Sequence, residues 1–118
     1  MSDEFELPLT PAAFHILLAL AGGEKHGYAI MQDVTTLSDG QIRLGPGSLY
    51  GTIKRLVDDA WIREVTDRPA EDDERRRYYR LTDLGQRVAR AEAARLARLV
   101  ALAHSRRLLP GASGAAES

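Results

Sequence analysis

The chain has 118 residues, 44% hydrophobic and 28% charged, with a net charge of −1, which gives room for one small globular domain and an appended helix. It has no cysteine, which excludes disulfides, thiolate metal sites and Cys nucleophiles and fits a reducing cytoplasm. No run approaches the roughly 18 apolar residues that span a bilayer, and the start, Met1-Ser2-Asp3-Glu4, is acidic where a secretory signal would be basic.

Residues 1–8 read as a flexible arm. Thr10-Pro11 is a helix start, a hydroxyl cap followed by a Pro whose missing N–H costs nothing there. The first helix runs over 12–21, and Phe14, Ile16, Leu17, Leu18 and Leu20 make it apolar nearly all round. Such a helix is buried on more than one side, so Phe14, Leu17 and Leu18 are expected at an interface with a second chain. Gly22-Gly23 ends it, and a second helix runs over 26–37 with Ile30, Val34 and Leu37 on one face. After the turn Ser38-Asp39-Gly40, residues 41–44 alternate as a short strand.

The third helix spans about 46–59. Leu49, Ile53, Leu56 and Val57 recur as one buried face. The other side carries Gly47, Ser48, Tyr50, Thr52, Lys54 and Arg55, slim near its N-terminus and cationic further along. That suits a helix lying in a DNA groove. Residues 61–65 and 76–81 read as two strands of a hairpin with a polar tip, a wing. Its basic residues Arg68, Arg76 and Arg77 are expected at DNA phosphates, with Tyr78 or Tyr79 facing outward. The acidic tip Glu71-Asp72-Asp73-Glu74 is expected to face away or stay mobile.

Thr82 caps a last helix over 83–109, stopped by Pro110-Gly111. At 1.5 Å per residue it is roughly 40 Å long, more than a body of this size covers. Ala89, Ala93, Leu96, Val100 and Ala103 recur at heptad spacing and Leu99 widens the stripe, so this helix is expected to pair with its twin. Residues 110–118 read as a disordered tail. Charge is uneven: 1–40 sums to −5, 41–81 to +1 and 82–109 to +4, with fourteen arginines against two lysines.

Phe14-His15-Ile16-Leu17-Leu18-Ala19-Leu20, His26-Gly27-Tyr28-Ala29-Ile30, the run from Gly47 to Leu56, Trp61-Ile62, and Tyr78-Tyr79-Arg80-Leu81-Thr82 with Gly85 stand in an order and spacing that resembles the PadR family of bacterial transcriptional regulators, its short-tailed branch in particular. The resemblance covers about residues 9–105. It implies a mainly α fold with a small β-hairpin wing: a winged helix-turn-helix over 9–81 plus a C-terminal dimerisation helix over 82–109. It also implies a homodimer built from the first and last helices, repression of an operator in double-stranded DNA, and in some members release by a small-molecule effector. Two departures stand out. The last helix has no aromatic residue to stack a flat ligand, and Gly51 stands where many relatives have Pro.

The three histidines are scattered without partners at metal-ligand spacing, and Tyr28 and Trp61 are expected as core or boundary aromatics. No Gly-rich phosphate loop, nucleophile elbow or paired-carboxylate site is present. The reading is therefore a DNA-binding regulator without catalytic residues, cofactor or metal. The rival readings are a winged helix that meets an acidic protein, and a ligand sensor whose DNA binding is switched.

Overall fold

In the computed structural model, which describes residues 6–65 and 77–110, four helices enclose a three-stranded sheet. The order is α1 (Pro11–Ala21), β1 (Lys25–His26), α2 (Gly27–Leu37), α3 (Pro46–Asp58), β2 (Ile62–Glu64), β3 (Tyr78–Leu81) and α4 (Asp83–Ser105). The sheet is antiparallel in the order β1-β3-β2.

Caps set where the helices begin. The Thr10 hydroxyl accepts the Ala13 N–H at 3.1 Å, the His26 imidazole accepts that of Ala29 at 3.2 Å, and the Thr82 hydroxyl accepts that of Gly85 at 2.9 Å. α2, α3 and α4 share one ending. A left-handed residue, Asp39, Ala60 or Arg107, lets the next N–H reach back across the last turn: Gly40 to the Thr35 carbonyl, Trp61 to Leu56, Leu108 to Ala103. This double-bonded ending normally uses glycine, and here it uses none at the left-handed position.

The core is one cluster. Ile16, Leu17 and Leu20 of α1 meet Ile30 and Val34 of α2, Leu49, Ile53 and Leu56 of α3, Ile62, Tyr79 and Val88. α1 packs on α2, α4 and β3, which is why its sequence is apolar nearly all round. Leu17, expected at an interface with a second chain, is fully buried in this core and offers no surface to a partner. Leu18 beside it is 41% exposed, and Phe14 is half-buried.

Two further expectations are corrected. Residues 41–44 form no strand; the Ser38 hydroxyl takes the Ile42 N–H at 2.9 Å, and Ile42 and Leu44 pack on the core from a loop. The third strand is instead Lys25–His26, pairing with Tyr79 and Tyr78. α4 ends at Ser105, before Pro110, because Arg107 turns left-handed. The expected disordered tail lies, from residue 111 on, outside the described residues, as do residues 1–5 of the expected arm.

One charged group sits inside. Glu92 of α4 is 2% exposed. It accepts the Leu9 N–H at 3.1 Å and both the Nε and an Nη of Arg95, at 2.6 and 3.0 Å. The Arg95 hydrogen bond holds its carboxyl below the usual carboxylate range; burial opposes this, and the Leu9 N–H adds to it.

Candidate nucleic-acid interface

α3 divides cleanly. Leu49, Ile53 and Leu56 are buried, while Gly47, Ser48, Gly51, Lys54 and Arg55 are exposed and Thr52 is half-buried. A side chain added at Gly47 or Gly51 would meet nothing within 4 Å, so none of the described residues covers this face there. The Thr52 hydroxyl donates to the Ser48 carbonyl at 2.9 Å, and Lys54 pairs with Asp58 one turn on at 3.1 Å. An exposed pair of that kind is worth little and leaves the lysine available.

Tyr50 is 36% exposed, but its tip is not aimed outward. The phenol lies on Gly27, the first residue of α2, where an added Cβ would overlap the Tyr50 hydroxyl and stand 2.8 Å from Cζ. Gly27 is therefore required for close approach rather than for a special backbone angle. The sequence places these residues 23 positions apart, and only their packing reveals the dependence.

The wing is anchored to the same place. His26, which caps α2, meets the Tyr78 ring edge-to-face, with centroids 5.5 Å apart. The two tyrosines separate as strand alternation requires: Tyr79 points into the core, 6% exposed, and Tyr78 is half-buried on the other face. Burial, then nearby Glu64, pushes the Tyr79 hydroxyl above its ordinary pKa. Arg77 is exposed and lies 3.5 Å from Glu64. Arg68 and Arg76 lie outside the described residues.

Sequence reading missed one pair. Arg63 of β2 and Arg80 of β3 are directly opposite in the ladder; both are exposed, and neither has an acidic partner among the described residues. Like charges directly opposite destabilise a sheet, so this arrangement suits an anion from outside. The signal is the alternation that turns Tyr79 inward, but it needs the strand register to become visible. Tyr28, expected in the core or at its boundary, is 56% exposed on the outer side of α2. Trp61 is half-buried against the core.

Among the described residues no cluster of His, Asp or Glu is placed to hold a metal ion, and no helix is long and apolar enough to cross a membrane. α4 carries its expected stripe into the open. Ala93, Leu99 and Val100 are exposed, and Ala89, Leu96 and Ala103 are half-buried.

Comparison with known proteins agrees with this geometry. A 37.1 kDa protein in transposon TN4556 of Streptomyces fradiae is 42% identical over 84 residues, which are 71% of this chain but 22% of that protein; the chain spans about a fifth of its relative. Among solved structures, a PadR family transcription regulator from Clostridium difficile R20291 superposes with a TM-score of 0.66 at 19% identity, covering 80% of this chain and 95% of that one. RosR of H. salinarum does so with a TM-score of 0.62 at 26% identity, covering 79% of each. The sequence matches the Transcriptional regulator PadR-like family over residues 16–91, well over half its length, and the chain belongs to that family.

Proposed function

We propose that this regulator is a dimeric repressor that binds a pseudo-palindromic operator, placing α3 of each copy in a major groove and the wing against flanking phosphates. The observation that carries this reading is the exposed outer face of α3, small and hydroxylated at its start and cationic at its end, together with the Arg63–Arg80 pair, which has no acidic partner among the described residues. Gly47 and Gly51 allow close approach to the DNA, Ser48 and Thr52 offer hydroxyls, and the exposed edge of Tyr50 touches sugar or phosphate. Lys54, Arg55, Arg63, Arg80, Arg77, Arg68 and Arg76 supply phosphate charge, and Tyr78 flanks them.

The second copy covers the apolar surface that one chain leaves open: Phe14 and Leu18 of α1, and Ala93, Leu96, Leu99, Val100 and Ala103 of α4, whereas Ala89, expected there, packs on the chain's own core. Two recognition helices related by a two-fold axis reach half-sites one helical turn apart. Bound there, the dimer excludes other proteins from the DNA it covers, and this is the repressing state.

The test is a fluorescence-anisotropy titration against the DNA upstream of the protein's own gene, at two salt concentrations and with scrambled competitor. Tight, salt-sensitive binding that resists the competitor, and that weakens for Tyr50→Ala, supports the reading. Equal binding to both DNAs, or none at low salt, overturns it. Leu96→Asp combined with Val100→Asp is expected to give a monomer in light scattering.

A further inference from the structure

The apolar stripe of α4 contains one residue that does not belong by type. Gly85, Ala89, Glu92, Leu96, Leu99 and Ala103 follow one another at spacings of 4, 3, 4, 3 and 4, which places them on a single face. Glu92 stands in the middle of that line. On its N-terminal side the stripe is used within the chain: Gly85 and Val88 are buried and Ala89 packs on the core. On its C-terminal side Leu99 is 47% and Val100 56% exposed. Glu92 itself is covered by the segment before α1 through the Leu9 N–H, and on its other side by Arg95.

We propose that the Glu92–Arg95–Leu9 node sets the register in which two copies of this chain pair along α4, a proposal that rests on the dimer read above. Two features point to this role rather than to simple support of the fold. A hydrophobic pair of similar volume often serves a fold as well as a buried ion pair does, so stability alone does not account for these charges. A polar group at one core position of a helical seam also penalises every register that would cover it with apolar side chains. Leu9 lies against Glu92, so a partner helix reaches α4 only beyond it, from Ala93 on. Arg95, 27% exposed at the side chain, closes the near edge of that surface. The seam left for the second copy is the stretch from Ala93 to Ser105, roughly 20 Å of helix. On so short a seam, a slip of one turn would otherwise cost few contacts.

The chain has no cysteine, so cysteine scanning starts from a clean background. Single cysteines at Ala93, Leu96, Leu99, Val100 and Ala103 are introduced into the full chain, and the rate of self-crosslinking under mild oxidation is measured for each. The expected result is one favoured position, at least about tenfold faster than the others, as a single dominant register requires. In the background of Glu92→Leu with Arg95→Leu the preference is expected to collapse to within about threefold while the protein stays folded by circular dichroism. Glu92→Gln, which keeps the shape and an acceptor for Leu9, weakens the preference in the same direction and carries the test if the double variant does not fold. An unchanged preference in the variants that fold refutes the register role. If the unsubstituted chain sediments as a monomer and no position crosslinks, the dimer reading itself fails, and that outcome is distinct from the first.

Discussion

Replacing Arg63 and Arg80 together by glutamine separates what the pair does for the fold from what it does for binding, because the two effects have opposite signs. In the free protein the two residues are directly opposite on β2 and β3, and neither has an acidic partner among the described residues. Removing both charges relieves repulsion worth about 0.2–1 kcal/mol, which raises the melting temperature by roughly 1–4 °C for a domain of this size. On DNA, each phosphate contact contributes about 0.9 to the slope of log affinity against log salt, so two lost contacts lower it by about 1.8. Between 50 and 200 mM salt, the affinity ratio of parent to variant then shrinks about 12-fold. Thermal unfolding and anisotropy titrations at four salt concentrations measure both quantities on one preparation. An unchanged salt slope would put the two arginines away from DNA. A lower melting temperature would mean that the pair is stabilised in the free protein, and the argument from like charge would fall.

Gly85→Ala is expected to be the most damaging single-methyl change: the new Cβ would overlap the Trp61 carbonyl next to the Thr82 cap, and overpacking plus a loosened cap cost about 3 kcal/mol, measurable by urea unfolding. Ala60→Gly removes a left-handed alanine at φ 65°, and should stabilise by about 0.5–1 kcal/mol after the added flexibility of the unfolded chain is subtracted; a loss of stability would refute the strain assigned there. Gly27→Ala should cost only about 1 kcal/mol, since the group that must yield is the end of a side chain, yet it should weaken DNA binding as Tyr50→Ala does. Glu92 has its carboxyl pKa lowered from 4.5 by Arg95, so in the folded protein it holds its charge to lower pH than when unfolded. Its contribution is fully present above pH 4.5 and is lost as pH falls through the lowered value. The stability difference between the parent chain and Glu92→Gln should therefore shrink with acid below that pH, and a constant difference would show that the ion pair does not set it.

The helices were legible because their signals are local: Thr10-Pro11 and Thr82 at the starts, and Leu49, Ile53 and Leu56 repeating on one face. What escaped depends on neighbours distant in sequence. A strand of two residues, Lys25–His26, has no alternation to read; it exists because β3 passes beside it. The alternation at 41–44 is real, but the Ser38 hydroxyl holds those residues in a loop. Leu17 and Leu18 are indistinguishable by type, and only the angle of one residue around α1 sends the first into the core and leaves the second 41% exposed. The end of α4 was placed at the proline, where the backbone could not continue, whereas a left-handed arginine ends it first. The face of α3 proposed for DNA was readable as a face, but the Arg63–Arg80 pair was not, because a pair needs a register.

The joint between α2, α3 and β3 explains why a domain so small can present two separate elements to one ligand. His26 ends β1, caps α2 through its ring nitrogen and packs its ring against Tyr78 of β3. One residue later Gly27 receives the phenol of Tyr50 from α3. Consecutive residues at the start of one helix thus hold the wing strand and the proposed recognition helix at a fixed separation, and Tyr79, between them in the sheet, is buried in the core. A side chain larger than hydrogen at position 27 would displace the Tyr50 phenol and so loosen the contact that ties α3 to the start of α2. The motif His26-Gly27 is therefore a spacing device. In this structure its value lies in what it holds in place, not in any ligand it would touch itself.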